Sequence, residues 1–166
     1  QSGIYDRIVT DPASARTKDN VDDTTSLGVH VGLAWAPTDK LLISPKFIYQ
    51  KIESDGFPWA DADINEFDQF RIHGVEEPLE DELTSLALVV KYDLDVGTVT
   101  SATSYVERDV EETEDFTEFS VFGFGLNPPP PSPVSGGLAY SKFVQELRFT
   151  SSFDGPMQVV VGAFYS

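Results

Sequence analysis

Large apolar residues alternate with small or polar ones in several short runs, and this period of two is typical of β-strands. The clearest run covers residues 26–35 and has one bulky apolar face and one small or polar face. The bulky positions are Leu27, Val29, Val31, Leu33 and Trp35, and Ser26, Gly28, His30, Gly32 and Ala34 lie between them. Signals for helices are weak, so the chain is predicted to be all-β.

The alternating runs come in pairs, and each pair is separated by residues that favour a tight turn. The sequence therefore predicts three antiparallel hairpins, at about residues 26–51, 84–108 and 142–165. Pro45 lies inside the first of them, where it removes a backbone donor from the ladder. The predicted turns are Pro37-Thr38-Asp39-Lys40, Asp93-Leu94-Asp95-Val96-Gly97 and Phe153-Asp154-Gly155-Pro156.

Two long connections, at about residues 53–81 and 110–140, join the three hairpins. Long connections without secondary structure are uncommon in compact soluble domains. Short turns that alternate with long connections are typical of outer-membrane barrels, which have short periplasmic turns and long external loops. The expected fold is a set of antiparallel up-and-down strands that form part of a transmembrane β-barrel, with residues 1–166 as one partial barrel domain.

Aromatic residues occur at both ends of the predicted strands. A strand of about 9–11 tilted residues spans a bilayer, so one ring at each end would mark the two membrane interfaces. The alternative is that β proteins place aromatic residues near strand ends in any case. Trp35, Tyr92 and Phe153 precede the turns, and Tyr49, Tyr105 and Tyr165 lie farther along the returning strands.

The chain is strongly acidic, with 28 Asp and Glu against 11 Lys and Arg and a formal charge of −17. Such a chain repels phosphates and anionic membrane surfaces, so nucleic acid is not an expected partner. Solvated loops are the simplest reason for the charge, and binding of divalent cations or of a cationic ligand is the alternative. Cysteine is absent, which excludes disulfides, thiolate ligands and cysteine nucleophiles.

Candidate catalytic and metal-binding residues are few. His30 is on the small or polar face of a predicted strand, and His73 is in a predicted loop beside Arg71, where we expect it to be solvated. The acidic runs at 76–82 and 111–118 lack the spacing of a dedicated calcium loop, so we expect solvated loop faces there. The sequence predicts no enzyme, no metal site and no cofactor.

Two apolar segments lie within the predicted long loops. They are candidates for contact with a ligand at the mouth of a barrel, and the alternative is that they pack against each other or against neighbouring loops. Four consecutive prolines follow the second segment and predict a stiff, extended spacer. The ligand-contact candidates are Phe57, Trp59, Phe116, Phe119, Phe122 and Phe124.

Several stretches resemble barrel strands of TonB-dependent receptors. Gln145–Ser151, Phe153–Pro156 and Val161–Tyr165 are similar to a hairpin in which "QELR(L/F)xS", a "DGP"-like turn and "(V/A)G(L/V/A)FY" occur in that order. Thr98–Tyr105 resembles the "GTLTSITSY" strand of the family, and Trp35–Asp39 resembles its "W-x-P-T/S-D" periplasmic turn. The resemblance covers roughly residues 27–166.

The resemblance implies an internal part of the barrel of such a receptor. No stretch matches the family's plug domain or its energy-coupling box. The family barrel has about 22 strands, and the six or seven predicted here are too few to close around a lumen.

On the same resemblance, the expected function is a fragment of a receptor in a Gram-negative outer membrane, for energy-coupled uptake of a siderophore-like or other scarce ligand. The implied partners are outer-membrane lipid, the remaining barrel and plug, an inner-membrane energy-coupling protein and a small-molecule ligand. The alternative is a secreted antiparallel β module that self-associates through its strand edges. The candidates for polar side chains that face the lumen are Lys46, Gln50, Glu146 and Arg148.

Overall fold

The computed structural model describes residues 2–61 and 67–166. The described chain is mostly antiparallel β-structure with one short helix, which confirms the predicted class. The strands are β1 (Asp6–Val9), β2 (Arg16–Lys18), β3 (Thr24–Gly32), β4 (Trp35–Thr38), β5 (Leu41–Ser54), β6 (Asp68–Arg71), β7 (Leu79–Leu94), β8 (Gly97–Asp115), β9 (Pro133–Ser151) and β10 (Val160–Tyr165). The helix α1 is Thr117–Phe124.

The strands form two sheets. In the smaller sheet, β1 pairs antiparallel with β2 and parallel with β6. The larger sheet has the order β10-β9-β8-β7-β5-β3, and β4 also pairs with β5. The described strands do not form a closed barrel, because β3 and β10 are at the two edges of this sheet. No helix within residues 2–61 and 67–166 is long and apolar enough to cross a membrane.

The tight turns lie within the predicted turn segments. The first is at Asp39-Lys40, where the Thr38 hydroxyl accepts a hydrogen bond of 3.3 Å from the Lys40 amide. The second is at Asp95-Val96, and Lys40 Nζ donates to Asp95 Oδ1 at 2.7 Å. Residues 152–159 form the third connection, and β10 begins only at Val160 rather than near residue 157.

The strands extend farther than the predicted hairpins. The predicted connection at 53–81 contains β6 and the start of β7, although its residues 62–66 lie outside the described part of the chain. The connection at 110–140 contains the end of β8, helix α1 and the start of β9. Acidic residues form part of these strands because their backbones hydrogen-bond to neighbouring strands, whatever the pattern of side chains. Such pairing is not visible in the sequence.

Pro45 lies where the ladder between β5 and its neighbour is interrupted. Its carbonyl oxygen accepts a hydrogen bond of 3.0 Å from the Leu33 amide. Leu33 and Ala34 separate β3 from β4 and belong to neither strand. Proline has no amide hydrogen, so Pro45 cannot donate a ladder hydrogen bond to its neighbour. The gap between β3 and β4 therefore accommodates Pro45.

The chain divides into two compact units of very different charge. The acidic unit consists of Gln1–Leu27, Lys51–Glu82 and Asp109–Leu138. It contains 22 Asp and Glu and five Lys and Arg, so it carries the whole net charge of −17. The neutral unit has six acidic and six basic residues, and it consists of Gly28–Gln50, Leu83–Arg108 and Ala139–Ser166.

The interior of the acidic unit is largely polar. Val9 and Val21 are the only fully buried hydrophobic residues among those that the structure describes, and both are in this unit. Arg7, Gln69 and Glu77 are buried at least as deeply as Val9, at 0–2% exposure. Buried polar groups are tolerated only when they are hydrogen-bonded, so a bonded network rather than apolar packing fills this interior.

The neutral unit has the opposite distribution. All of its residues are described, and none of its hydrophobic side chains is fully buried. Its large apolar residues are instead exposed along strands β3, β4, β7, β9 and β10. A soluble domain is ordinarily stabilised by a buried apolar core, which this unit lacks.

Candidate functional site

One face of the sheet in the neutral unit is a continuous apolar surface. The exposed residues on it follow the period of two along each strand, and a groove of about 550 Å³ crosses it. The groove is bordered by side chains of four strands, and Lys46 also borders it. The apolar surface comprises Val29, Val31, Leu33, Trp35, Leu86, Leu88, Tyr92, Tyr105, Phe143, Leu147, Val161 and Tyr165.

Gln145 is a polar residue on this apolar face, and its side-chain groups are satisfied by neighbours. It lies opposite Tyr165 in the ladder of β9 and β10, so it shares a face with Leu147. Its Oε1 accepts a 2.5 Å hydrogen bond from the Thr103 hydroxyl. Its Nε2 donates to Ser101 Oγ at 3.0 Å and to the Glu146 carbonyl at 3.0 Å. The polar groups of this side chain are therefore satisfied within the protein.

The aromatic residues that were expected at the strand ends are mostly exposed. Tyr49 is the one that is partly buried. Tyr49 and Tyr105 lie within β5 and β8 rather than at their ends, because both strands are longer than predicted. That the rings mark a membrane interface stays a prediction. The exposed members are Trp35, Tyr92, Tyr105, Phe153 and Tyr165.

The four candidates for lumen-facing side chains are accessible. Glu146 and Arg148 share one face of β9, and their side chains are 3.6 Å apart. This face also carries Phe164, which lies opposite Glu146 in the ladder. Lys46 and Gln50 are exposed on β5. Whether these side chains face a lumen stays a prediction.

The ligand-contact candidates all belong to the acidic unit. The Phe57 and Trp59 rings lie 5.5 Å apart, and Trp59 is half exposed. Gln69 Nε2 donates to the carbonyl oxygens of both residues, at 2.8 and 2.7 Å. This buried glutamine therefore fixes the backbone of the loop that carries the two rings.

The other four candidates belong to α1 and the residue before it. Thr117 and Ser120 are the buried side of this helix, whereas Phe119, Phe122 and Phe124 are exposed. The Phe119 ring stacks edge to face on Phe116 and Phe124, at 6.0 Å in both cases. The helix thus presents aromatic side chains outward and polar ones inward, the reverse of an ordinary surface helix.

Hydrogen bonds at both ends hold α1 in place. Asp115 Oδ1 accepts from the Thr117 amide at 2.9 Å and from its hydroxyl at 2.5 Å. The C-cap residue Gly125 has a φ of 67°, and its amide donates to the Val121 carbonyl at 2.9 Å. The exposure of the aromatic side chains therefore belongs to a capped helix and not to a fraying end.

A buried ion pair lies at the centre of the acidic unit, and sequence reasoning did not find it. Arg7 Nη2 lies 2.5 Å from Glu77 Oε2, and both side chains are at most 2% exposed. Arg7 also donates to the Val75 carbonyl at 2.6 Å, and Glu77 Oε1 accepts from the Asp115 amide at 3.0 Å. The prediction that residues 76–82 form a solvated loop face is wrong for Glu77.

His73 and Arg71 also lie deeper than expected. His73 Nε2 is 2.9 Å from the Pro129 carbonyl oxygen, and its Nδ1 is 3.5 Å from Asp11 Oδ2. Arg71 is buried and donates to the Phe70 carbonyl at 2.9 Å. The expectation that His73 is solvated is therefore wrong, because long-range contacts fix it. No sequence signal links positions so far apart.

An acidic hollow of about 690 Å³ lies in the same unit. Lys51 Nζ forms ion pairs with Glu53 at 2.8 Å and with Glu80 at 2.6 Å, and these hydrogen bonds raise the pKa of Lys51. Among the residues that the structure describes, no group of three or more His, Cys, Asp or Glu is arranged to hold a metal ion. The carboxylates that line the hollow are Glu53, Asp55, Glu80, Glu111 and Glu112.

No family model, curated protein or solved structure matches this chain. The similarity to barrel strands of TonB-dependent receptors therefore rests on the motifs quoted above.

Proposed function

We propose that this chain is part of the wall of an outer-membrane β-barrel, with the neutral unit in the membrane and the acidic unit in water. The observation that carries the proposal is the exposed apolar sheet face of a unit with no buried hydrophobic side chain. In the membrane this face contacts hydrocarbon, so its exposure to water in isolation is not a defect. All backbone polar groups of such a wall must be paired between strands, which an antiparallel sheet provides.

The charge distribution supports the same assignment. A charge in hydrocarbon costs several kcal/mol, so a membrane-embedded unit should carry few charges and little net charge. The neutral unit has six charges of each sign, and the remaining excess of acidic residues is in the other unit. A protein with its acidic residues distributed evenly over the surface would not show this segregation.

Within this proposal, the motif resemblance favours a TonB-dependent receptor. The chain would then be a fragment of a receptor for energy-coupled uptake of a scarce nutrient, with the plug and the remaining strands supplied by other parts of the protein. The aromatic residues of the acidic unit, at Phe57, Trp59 and α1, would contact the ligand. No covalent chemistry is assigned to any residue.

The test is the state of the polypeptide in its source cells. An antibody against residues 109–126 should detect a species well above 18.3 kDa in the outer-membrane fraction. That species should resist extraction with carbonate, and its mobility on gels should change on boiling, as expected for a folded barrel. A soluble, monodisperse species of 18.3 kDa would refute the proposal.

A second candidate function is a β module that assembles through its strand edges. It is favoured by β9, which has 19 residues but pairs with β10 only over Gln145–Thr150. On that side, the described strands leave the first part of β9 open to another strand. Soluble oligomers that form without detergent would favour this function over the membrane wall.

A further inference from the structure

The chain contains two Asp-Gly steps, Asp55-Gly56 and Asp154-Gly155, in very different surroundings. The backbone nitrogen that follows an aspartate can attack the carboxyl group of that aspartate. Glycine hinders this attack least, because it has no Cβ. The two steps are therefore equivalent in local chemistry, and the structure around each step decides which of them can react.

The backbone at Gly56 is held in place by the acidic unit. Gly56 is buried, and a Cβ built on it would lie 2.5 Å from the Val21 carbonyl oxygen, so the backbone there is closely packed. The Asp55 amide donates to the Asp23 carbonyl at 2.9 Å, and the Gly56 carbonyl accepts from the Ser54 hydroxyl at 2.7 Å. A rotation of the backbone at this step would have to break these contacts.

The backbone at Gly155 is open by comparison. Asp154 and Gly155 are exposed in the third connection, and a Cβ built on Gly155 would meet nothing within 4 Å. Within the described part of the chain, the Gly155 amide donates no hydrogen bond. Gln158 fastens the connection elsewhere, since it donates to the Phe153 carbonyl at 2.8 Å and accepts from the Ser151 hydroxyl at 3.0 Å. The peptide unit between Asp154 and Gly155 can therefore rotate without breaking these bonds.

We propose that Asp154 is a site of spontaneous isoaspartate formation and that the fold protects Asp55 from the same reaction. The Gly155 nitrogen bonds to Cγ of Asp154, and the carboxyl hydroxyl leaves as water with the amide hydrogen. Water then opens the cyclic imide. Cleavage of the new bond restores aspartate, whereas cleavage between the nitrogen and the former backbone carbonyl carbon gives isoaspartate. One water is released and one is consumed, so no oxidant or other reactant is required.

The product has a longer backbone in the third connection and a free carboxylate on the α-carbon of residue 154. These two features are what a methyltransferase specific for isoaspartate would recognise, so that class of enzyme is the implied partner. The reaction requires only water and an exposed connection. The inference therefore goes beyond the proposed membrane function and does not depend on it.

The test is peptide mapping of the full chain after prolonged incubation at neutral pH in a nonionic detergent. Trypsin releases Asp154 in the peptide 149–166 and Asp55 in the peptide 52–71. A second protease that cleaves before aspartate but not before isoaspartate then measures the converted fraction at each position. Transfer of a labelled methyl group by an isoaspartyl methyltransferase is the independent readout.

In the folded protein, conversion at Asp154 should exceed conversion at Asp55 severalfold. In concentrated guanidinium chloride the contacts around Gly56 are lost, so the two positions should convert at similar rates. Equal conversion in the folded protein would overturn the proposal. A preference for Asp154 that persists unchanged in the denaturant would also overturn it, because the fold would then not be its cause.

Variants test the attacking nitrogen. Gly155→Ala should slow conversion at Asp154 severalfold, because its Cβ hinders the nitrogen, and the open space around it should leave the fold intact. Gly28→Ala also adds a Cβ in open space, but far along the chain, and should convert as the unmodified chain does. Conversion of Gly155→Ala at the unmodified rate would refute the proposed reaction. Membrane extraction of the unconverted protein reports separately on the wall function.

Discussion

The ion pair between Arg7 and Glu77 connects the first strand of the chain to the segment just before β7. Each partner makes further hydrogen bonds, so removal of one leaves a buried charge and several unpaired groups. We predict that Arg7→Met or Glu77→Leu alone lowers the free energy of unfolding by about 3–5 kcal/mol. The measurement is the urea midpoint in detergent, followed by the fluorescence of Trp59 in the same unit.

The double variant Arg7→Met with Glu77→Leu tests the pairing itself. Because no charge is then left unpaired, its loss of stability should be clearly smaller than the sum of the two single losses. Strict additivity would show that the two side chains act independently, contrary to their 2.5 Å contact.

Glu118 on α1 should make the stability of the protein depend on pH. Burial raises the pKa of its carboxyl above the ordinary value, although the nearby Arg71 opposes the shift. Because the pKa of this carboxyl is higher in the folded than in the unfolded state, its protonation stabilises the fold. This contribution is fully present below the unfolded-state pKa and is lost as pH rises through the folded-state pKa. Glu118→Gln, which imitates the protonated acid, should therefore stabilise the protein at pH 7 and have little effect near pH 4.

The expected gain at pH 7 is below about 1 kcal/mol, because the side chain is only half-buried and solvent screens its charge. Urea midpoints of both proteins between pH 4 and pH 7 would measure it. Glu111→Gln, at an exposed position on β8, is the control and should leave the pH profile unchanged. A stability gain from Glu118→Gln that is equal at pH 4 and pH 7 would contradict the assignment to burial of the carboxylate.

At the scale of elements, the C-terminal end of α1 depends on a left-handed residue. Gly125 has a φ of 67°, and a Cβ there would meet open space, so only backbone strain opposes a side chain. Gly125→Ala should cost about 1 kcal/mol locally and speed amide hydrogen exchange in the helix. Gly155→Ala, also in open space but without a left-handed φ, is the matched control and should exchange as the unmodified chain does.

The start of β8 depends on a glycine for a different reason. A Cβ on Gly97 would lie too close to the Thr150 carbonyl oxygen and 2.8 Å from the Phe149 ring. Gly97→Ala should therefore force β8 and β9 apart and destabilise the sheet by more than about 2 kcal/mol, as measured by urea unfolding. Gly28→Ala, where a Cβ meets nothing within 4 Å, is the matched strand control and should be nearly neutral.

The sequence predicted those elements whose causes are local. The turns at Asp39-Lys40 and Asp95-Val96 follow from the chemistry of neighbouring residues, and the strand runs follow from alternation. The extension of β8 through Glu111 and Glu112, and the pairing of Arg7 with Glu77, depend on partners far away in the chain. The six aromatic candidates were identified as apolar residues in predicted loops. The helix α1, whose buried side is Thr117 and Ser120, was not predicted, because alternation does not show it.

At the scale of the whole molecule, one substitution on the apolar face should have opposite effects in a membrane wall and in a soluble module. Leu147 is 54% exposed on this face. In a soluble module, Leu147→Arg should be neutral or should improve solubility. In a membrane wall, it places a charge in hydrocarbon and should cost about 2–4 kcal/mol near mid-depth.

The measurement is the fraction of protein that resists carbonate extraction and keeps heat-modifiable mobility on gels. Thr150→Arg is the matched control, since Thr150 is exposed on the other face of β9, which also carries Glu146 and Arg148. We expect Leu147→Arg to reduce the inserted fraction and Thr150→Arg to preserve it. Equal insertion of both variants would exclude hydrocarbon contact at Leu147.

Within the proposed membrane function, the separation of charge between the two units affects how the protein keeps its orientation in the bilayer. For the acidic unit to traverse a bilayer, 22 carboxylates would have to be neutralised or dragged through hydrocarbon. If the neutral unit lies in a membrane, as proposed, this cost opposes flip-flop of the assembled protein. The orientation of the protein would then be set during assembly and retained afterwards.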